Sequence, residues 1–370
     1  MSNFMSNFMN DTSDYRQIFL TNAPMMDTRA PIEFARGSFP QTQNLPLMTD
    51  DERAQVGTCY KQKGQDAAIA LGHTLVSGDI KNSRIATWLE FIKQNPEGYL
   101  FCFRGGLRST ICQQWLADAD CHYPRVTGGY KAMRRFLIQE QEKAVDTRRF
   151  VMLGGHTGSA KTELLNNIPH SIDLEGLANH RGSAFGKRLG GQPPQISFEN
   201  SLSVEFLRNE HTFGKKPIVL EDESRLIGRL CLPPTLLSAM NQAPLILVET
   251  ELEERVSHSY ENYILRNCKD SLNSFGAEEG FERFSQELKQ SLHNIRRRLG
   301  QERYIKLNSQ MEQALHQQSN GDGSAHRGWI EVLLRDYYDP MYNYQIKQKS
   351  DRVTFRGRPE AITEYLNELS

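Results

Sequence analysis

The stretch Phe150-Val-Met-Leu-Gly-Gly-His-Thr-Gly-Ser-Ala-Lys-Thr162 indicates how the second half of this chain folds. Its first four residues form an apolar run typical of a buried strand, and glycines then mark a loop that ends at Lys161 and Thr162. A strand, a glycine-rich loop and a helix in this order place successive backbone N–H groups around one point, where they can bind phosphate oxygens. We therefore predict a phosphate-binding loop formed by Gly155, Gly158, Lys161 and Thr162.

The same residues match the Walker A pattern, in which the lysine adds positive charge and the following hydroxyl faces Mg²⁺. The match departs at Ala160, where glycine is usual, and alanine fits if this residue has a negative φ at the start of the helix. Asp222 follows the apolar stretch Pro217–Leu220, so it is a candidate metal or polar site of the Walker B kind. A solvated acidic residue at a strand end is the alternative for Asp222.

Apolar runs and helical periodicities alternate around this loop. Another buried-type strand is expected at Pro244–Val248, and the residues from Glu251 to Gln317 have a mostly helical, charged pattern. Alternation of strands with helices is typical of an α/β fold with a parallel sheet. We predict a P-loop NTPase-like α/β core over residues 145–250, followed by a mostly helical C-terminal region over residues 251–370.

The first half alternates in the same way. Its predicted strands and helices are the segments Pro24–Asp27, Pro31–Gly37, Asn44–Leu47, Asp66–Gly78, Ser83–Asn95, Tyr99–Phe103, Ser109–Ala117 and Lys131–Lys143. A second parallel-sheet α/β domain is therefore expected over residues 14–140. The polar residues 1–13 are expected to be disordered.

The composition of the 370 residues is that of an ordinary globular protein with room for two cores. The net charge is −1, so any contact with a nucleic acid must come from a local basic patch. No apolar run approaches the roughly 18 residues of a membrane span, and none of the six cysteines forms a CxxC pair of the zinc-binding kind. These features predict a soluble cytoplasmic protein with reduced thiols and no membrane contact.

A second chemical signal is the segment Cys102-Phe-Arg-Gly-Gly-Leu-Arg-Ser109. A cysteine at the end of a strand, followed by two glycines and a helix, places its sulfur in a ring of backbone N–H groups that favours the thiolate. Arg104, Gly105, Gly106 and Arg108 are then candidate binding groups for an oxyanion or a chalcogen. The alternative is a buried strand cysteine in front of a turn.

The surroundings of Cys102 resemble a rhodanese domain. The resemblance covers residues 14–140 and includes Met26–Arg29, Glu33-Phe34 and Gly128-Gly129. Rhodaneses carry sulfur on the loop cysteine as a persulfide. Five residues separate Cys102 from Arg108, one more than in the common rhodanese loop, and this spacing also resembles the loop of rhodanese-fold phosphatases. A phosphatase would need a general acid, for which Asp27 is the candidate.

Ordered motifs along nearly the whole chain resemble the tRNA 2-selenouridine synthase family. They are Asn44–Met48, Asp51–Arg53, Val56–Lys61, Cys102–Ser109, Gly128–Ala132, Asp173–Leu177, His180–Gly186, Ser197–Asn200, Leu220–Arg225 and Tyr337–Tyr342. The resemblance implies an enzyme, a transferase, that acts on the wobble uridine of the tRNA anticodon. In this family geranyl diphosphate alkylates the sulfur of 2-thiouridine, and selenophosphate then supplies selenium.

The resemblance further implies that Cys102 carries selenium as a selanyl-cysteine and that an enzyme producing selenophosphate is a partner. We infer that the loop of Cys102 binds selenophosphate. The loop Gly155–Thr162 is then expected to orient the diphosphate of geranyl diphosphate, with Mg²⁺ as a possible companion, rather than to hydrolyse a nucleotide.

Contacts with RNA are least visible in the sequence. Arg296, Arg297 and Arg298 form the densest basic stretch, in the region 251–370, and are candidate contacts for tRNA phosphates. A solvated helix face is the alternative. The aromatic segment Tyr337–Tyr342 could stack an anticodon base, although at least one of its tyrosines is expected to pack in the core.

Three other functions remain open at this point. One is a sulfurtransferase with an accessory P-loop ATPase domain, which needs no RNA. Another is a P-loop regulatory or RNA-binding protein with an inert rhodanese domain, although the loop cysteine is present. The third is the phosphatase suggested by the length of the Cys102 loop.

Overall fold

The computed structural model describes residues 10–368. Most of the segment 1–13, expected to be disordered, lies outside this range, whereas Thr12 forms a parallel bridge with Val126. The chain divides into two compact units. The first comprises residues 10–144 together with Pro194–Thr212, and the second comprises Val145–Pro193 together with residues 213–368.

The first unit contains a parallel sheet in the order β2-β1-β3. Its strands are β1 (Met25–Asp27), β2 (Thr42–Asn44) and β3 (Tyr99–Phe101). The helices around it are α1 (Tyr15–Leu20), α2 (Pro31–Arg36), α3 (Asp50–Lys63), α4 (Gln65–Leu75), α5 (Gly78–Gln94), α6 (Leu107–Ala117) and α7 (Gly129–Thr147).

Apolar side chains cover both faces of this sheet, because successive strand residues point to opposite sides. Met25 and Phe101 belong to one buried cluster, and Met26 and Leu100 belong to the other. The sheet edge where these strands end therefore lies between two cores. Cys102 follows β3 directly at this edge.

Two details of the first unit differ from the sequence-based expectations. The strand expected at Asn44–Leu47 has the wrong boundaries, because β2 ends at Asn44. Asn44 pairs with Asp27, which is the last residue of β1. The pattern of apolar residues does not predict helix α3, because this helix buries none of its residues and has no apolar stripe. Its N-terminal capping box, formed by Thr49 and Glu52, is the signal that marks it.

The second unit contains a parallel sheet in the order β10-β9-β4-β6-β5. Its strands are β4 (Phe150–Gly155), β5 (Ser171–Ile172), β6 (Ile218–Glu221), β9 (Leu245–Val248) and β10 (Val353–Gly357), and β7 (Leu226–Ile227) and β8 (Leu230–Cys231) form a separate antiparallel pair. Its first helices are α8 (Lys161–Asn166) and α9 (Leu174–Leu177). The central strand β4 leads directly into the phosphate loop, as expected.

Helix α10 (Gln195–Phe213) packs with the first unit, although the sequence-based boundaries placed it in the P-loop core. Val204 and Leu207 join the cluster that contains Met25 and Phe101. The side chain of Asn200 donates a hydrogen bond to the carbonyl oxygen of Ser38. Contacts far apart in sequence set this boundary, so the order of the elements does not reveal it.

The rest of the second unit is largely helical, as the charged pattern predicts. Its helices are α11 (Pro234–Met240), α12 (Leu252–Tyr260), α13 (Asn267–Phe275), α14 (Ala277–Leu299), α15 (Gln301–Ser319), α16 (His326–Leu333), α17 (Asp339–Gln348) and α18 (Pro359–Glu368), with π-helical turns at Glu261–Arg266 and Leu334–Tyr338 and a 3-10 turn at Ser350–Arg352. The region from residue 251 is not purely helical, because β10 returns to the sheet beside β9.

The parallel sheets confirm the expected α/β class. Within residues 10–368, none of the helices is both long and apolar enough to span a bilayer. None of the six cysteines, all of which lie within residues 10–368, takes part in a disulfide bond.

Candidate functional site

The first candidate site surrounds Cys102, which lies between the end of β3 and the start of α6. Its side chain is buried, and its sulfur lies 4.0 Å from the carbonyl oxygen of Gly106. The next residue, Leu107, begins α6. The sequence thus places the sulfur at the N-terminal end of a helix, where the helix dipole favours an anion.

Glycines allow this loop to pack against the segment before α7. Gly105 has a φ of +61°, and a Cβ there would lie 2.5 Å from the backbone nitrogen of Gly128. A Cβ on Gly129 would lie 2.2 Å from the carbonyl oxygen of Cys102, which accepts a hydrogen bond from the N–H of Tyr130. The Gly128-Gly129 pair therefore fixes the path of the cysteine loop.

Arginines dominate the cavity that contains Cys102, which has a volume of about 550 Å³. The arginines that line it are Arg29, Arg36, Arg53, Arg104 and Arg108. A single carboxylate, Glu33, also lines the cavity. A cavity with this excess of guanidinium groups suits a small anion of high charge.

Glu33 orients two of these arginines. Its carboxylate accepts a 2.6 Å hydrogen bond from Arg108 and lies 3.1 Å from Nε of Arg53. Burial opposes the charge of Glu33, but the hydrogen bond and charge of Arg108 prevail and hold its pKa below the usual value. Arg108 is therefore held by an ionised partner at neutral pH.

Asp27, the candidate general acid of a phosphatase, is fully buried and paired with Arg29. Both of its oxygens accept hydrogen bonds from the guanidinium of Arg29, at distances between 2.6 and 3.0 Å. Burial raises the pKa of Asp27 against the opposing effect of Arg29. Asp27 does not line the cavity of Cys102, so the structure gives a phosphatase no acid at this position.

The second candidate site is the loop between β4 and α8. Gly158 has a φ of +83°, and a Cβ there would lie 2.7 Å from the carbonyl oxygen of Arg255, so only glycine fits. The expectation of a negative φ at Ala160 is wrong, because this residue is left-handed, with φ +57° and ψ +29°. Such a conformation costs an alanine about 1–2 kcal/mol. The loop thus keeps the shape that glycine usually provides.

Lys161 is the first residue of α8, and its ammonium group donates to the carbonyl oxygens of Gly155 and His156 at 3.0 and 3.2 Å. Burial lowers its pKa. The surrounding cavity has a volume of about 280 Å³ and is also lined by Arg181, Arg188 and Arg266. The loop, the lysine and the arginines provide the donors that a diphosphate requires.

Carboxylates balance these cations in the same cavity. Glu175 accepts a 3.3 Å hydrogen bond from the hydroxyl of Thr162. Burial, followed by repulsion from Glu175, raises the pKa of Glu223 to about 8. Glu221 is fully buried behind them, and burial raises its pKa as well. At neutral pH these raised pKa values reduce the negative charge that an incoming phosphate would meet.

Asp222 lies outside this group, because it forms an ion pair with Lys349. The ammonium group of Lys349 lies 2.6 and 2.8 Å from its two carboxylate oxygens. Within residues 10–368 there is no cluster of three or more His, Cys, Asp or Glu side chains arranged to hold a metal ion. Asp222 is therefore engaged by an ammonium group, and Mg²⁺ at the phosphate loop stays an expectation.

The arginine stretch lies in the last turn of α14. Arg297 and Arg298 are exposed, and Arg296 is half-buried and donates to the carbonyl oxygen of His293. The expectation that one tyrosine of the segment Tyr337–Tyr342 is a core residue is confirmed, since Tyr338 is 5% exposed. Tyr342 instead lines the phosphate-loop cavity.

Sequence reasoning missed several of these neighbours. Glu33 and Arg53 appeared only within longer motifs, and Glu175, Glu223 and Arg266 had no assigned role. Each is brought to its site by tertiary structure. Four motifs carry usable signals for the phosphate-loop cavity. Asp173–Leu177 supplies Glu175 and His180–Gly186 supplies Arg181, while Leu220–Arg225 supplies Glu223 and Tyr337–Tyr342 supplies Tyr342.

Known proteins resemble this chain over almost its full length. The family described as the tRNA 2-selenouridine synthase AAA domain matches residues 148–370. A tRNA 2-selenouridine synthase of Hahella chejuensis is 57% identical over 355 residues, which cover 96% of this chain and 94% of that protein. Proteins with the same description from Marinobacter nauticus and Pseudomonas syringae pv. syringae are 53% and 52% identical, and the alignments cover 96% and 97% of this chain and 97% and 98% of theirs.

Proposed function

This chain belongs to the tRNA 2-selenouridine synthase family, and on that basis we propose that it converts wobble 2-thiouridine of tRNA into 2-selenouridine in two steps. The sulfur is first alkylated by geranyl diphosphate, and selenium from selenophosphate then replaces the alkylated sulfur. The observation that supports this proposal is that each unit has its own cavity with cationic side chains in its lining, one around Cys102 and one around Lys161. The two steps require two different phosphorylated donors.

We assign alkylation to the phosphate loop. The sulfur of 2-thiouridine attacks C1 of the geranyl chain, the bond from C1 to the diphosphate oxygen breaks, and the N3 proton of the base is lost. Lys161 and the backbone N–H groups of the loop stabilise the charge that develops on the diphosphate. No nucleotide has to be hydrolysed in this step.

Selenation is assigned to the cavity of Cys102. Selenophosphate is a small trianionic donor, and arginines surround the sulfur of this cysteine. Alkylation prepares the substrate chemically, because a thiocarbonyl sulfur leaves carbon poorly, whereas a geranylthiolate is an adequate leaving group. Arg104 and Arg108 line this cavity, and we assign them to binding of the donor or the departing sulfur.

The oxidation level of selenium decides which covalent intermediate Cys102 can form. Selenophosphate and 2-selenouridine both hold selenium at the level of selenide, so their exchange is redox-neutral. The selanyl-cysteine implied by the family resemblance lies two electrons higher, and forming it with release of phosphate needs an oxidant. We therefore propose that the Cys102 thiolate attacks C2 of the alkylated base and expels geranylthiolate. Selenophosphate then attacks C2 through selenium and releases the cysteine, and water removes the phosphoryl group.

A purified protein and an anticodon stem–loop RNA with 2-thiouridine test the proposal. Geranyl diphosphate alone should give geranylated 2-thiouridine, and both donors together should give 2-selenouridine, as measured by nucleoside mass spectrometry. Selenophosphate alone should leave the RNA unchanged. Sulfur transfer from thiosulfate to cyanide at a comparable rate, without RNA and without these products, would favour the sulfurtransferase with an accessory ATPase domain instead.

A further inference from the structure

A large apolar cavity lies on the first unit beside the cavity of Cys102. It has a volume of about 870 Å³ and is bordered by α3, α4 and α6. Its apolar lining includes Val56, Ala68, Ile69, Ile111 and Trp115. Small-molecule sites commonly have volumes of about 300–1,000 Å³ and mostly apolar walls.

Apolar side chains are also exposed at the border of this cavity. Tyr60 is 58% exposed and Leu107 is 46% exposed, although both have large hydrophobic side chains. Helices α3 and α4 contribute few side chains to the core, since α3 buries none and α4 buries only Ala68. Exposed apolar surface in a concave site is typical of a binding site for an apolar ligand.

The position of the cavity indicates which ligand. Arg53, Arg104, Leu107 and Arg108 line both this cavity and the cavity of Cys102. A ligand whose apolar chain fills the larger cavity therefore has its polar end among three arginines beside the reactive sulfur. The rest of the lining is mostly apolar, and its basic side chains are Lys61 and His73. Most of the wall is therefore available to the apolar chain of a ligand.

We propose that this cavity binds the geranyl chain of the S-geranylated uridine during selenation. This inference rests on the function proposed above. The bond between C2 and the alkylated sulfur breaks at the boundary of the two cavities, and the electron pair leaves with the geranylthiolate, which remains in the apolar cavity. Because an unalkylated base has no chain to bind, the cavity also selects the alkylated substrate. The chain of geranyl diphosphate is the other source of the same chemistry.

Two RNA probes separate binding of the chain from selenation itself. The stem–loop carries either S-geranyl-2-thiouridine or S-methyl-2-thiouridine, and selenation by selenophosphate is measured as kcat/KM. We expect the wild-type protein to prefer the geranyl substrate by at least about 100-fold. Ile69→Ser and Val56→Phe, one removing apolar contact and one filling space at half-buried positions, should lower kcat/KM for the geranyl substrate about tenfold and leave the methyl substrate unchanged.

Ile80→Ser is the matched control, because Ile80 is 49% exposed on α5 and does not line the cavity. Unchanged selenation of the methyl substrate shows that each variant is folded. Equal selenation of both substrates by the wild-type protein would overturn the inference and leave the proposed function intact. If Ile69→Ser and Val56→Phe slowed alkylation by geranyl diphosphate and left selenation unchanged, the inference would also be overturned, and the cavity would be assigned to that donor. Selenation of neither substrate would refute the proposed function itself.

Discussion

Substituting Glu223 by glutamine tests the electrostatics of the phosphate-loop cavity. The pKa of Glu223 is raised from 4.5 to about 8, chiefly by burial. Between these values the folded protein holds a proton that the unfolded chain has lost, so stability falls as the pH rises. The roughly 2.5 pH units from 4.5 to pH 7, at about 1.4 kcal/mol per unit, give an upper value of about 3 kcal/mol. Solvent at the half-buried carboxyl screens part of this, so about 1–3 kcal/mol is expected.

Glu223→Gln removes this penalty while keeping the size of the side chain. The variant should therefore be more stable than the wild-type protein at pH 7, and the difference should shrink as the pH falls and disappear by about pH 4, below the unfolded pKa. The free energy of unfolding is measured by urea denaturation at each pH. Pulsed hydrogen exchange, at one fixed labelling pH, follows the unfolding of peptides from β4 and β6. Glu364→Gln, at an exposed position on α18, is the control. A variant with the same pH dependence as the wild-type protein would show that Glu223 is not the group whose titration lowers the stability.

Two further predictions concern the donor site and the RNA contact. Lys161→Ala removes the ammonium group that faces the leaving diphosphate, so alkylation should slow by about 100-fold or more. RNA that is supplied already geranylated should still be selenated by this variant. Failure to selenate that RNA would show that the two sites are not separable. If Arg296, Arg297 and Arg298 contact tRNA phosphates, the triple alanine variant should bind tRNA more weakly. The slope of log binding constant against log salt concentration should flatten by about one unit per lost contact. Unchanged affinity and slope in filter binding, with unchanged thermal melting, would mean that these arginines lie on a solvated helix face.

The local motifs around Cys102 and Lys161 could be predicted from the sequence because each is a strand, a loop and a helix in direct succession. Their electrostatic partners could not, because they come from distant parts of the chain. Glu33 lies 75 residues from the Arg108 that it holds, and Lys349 lies 127 residues from Asp222. No local pattern specifies such pairs.

The same reason explains two differences in the fold. Helix α10 follows the phosphate-loop segment in sequence, yet its apolar face completes a core of the first unit. At Ala160 the residue type favours a negative φ, but the closed loop requires a positive one. Tertiary packing overrides the local preference in both cases.

Nucleoside mass spectrometry of cellular tRNA tests whether Cys102 acts in the second step. A strain without this gene is complemented with the wild-type protein or with Cys102→Ser, in medium containing selenium. We expect 2-selenouridine with the wild-type protein, and geranylated 2-thiouridine without 2-selenouridine for the variant, because alkylation needs no cysteine. Normal 2-selenouridine in the Cys102→Ser strain would show that selenation does not require Cys102.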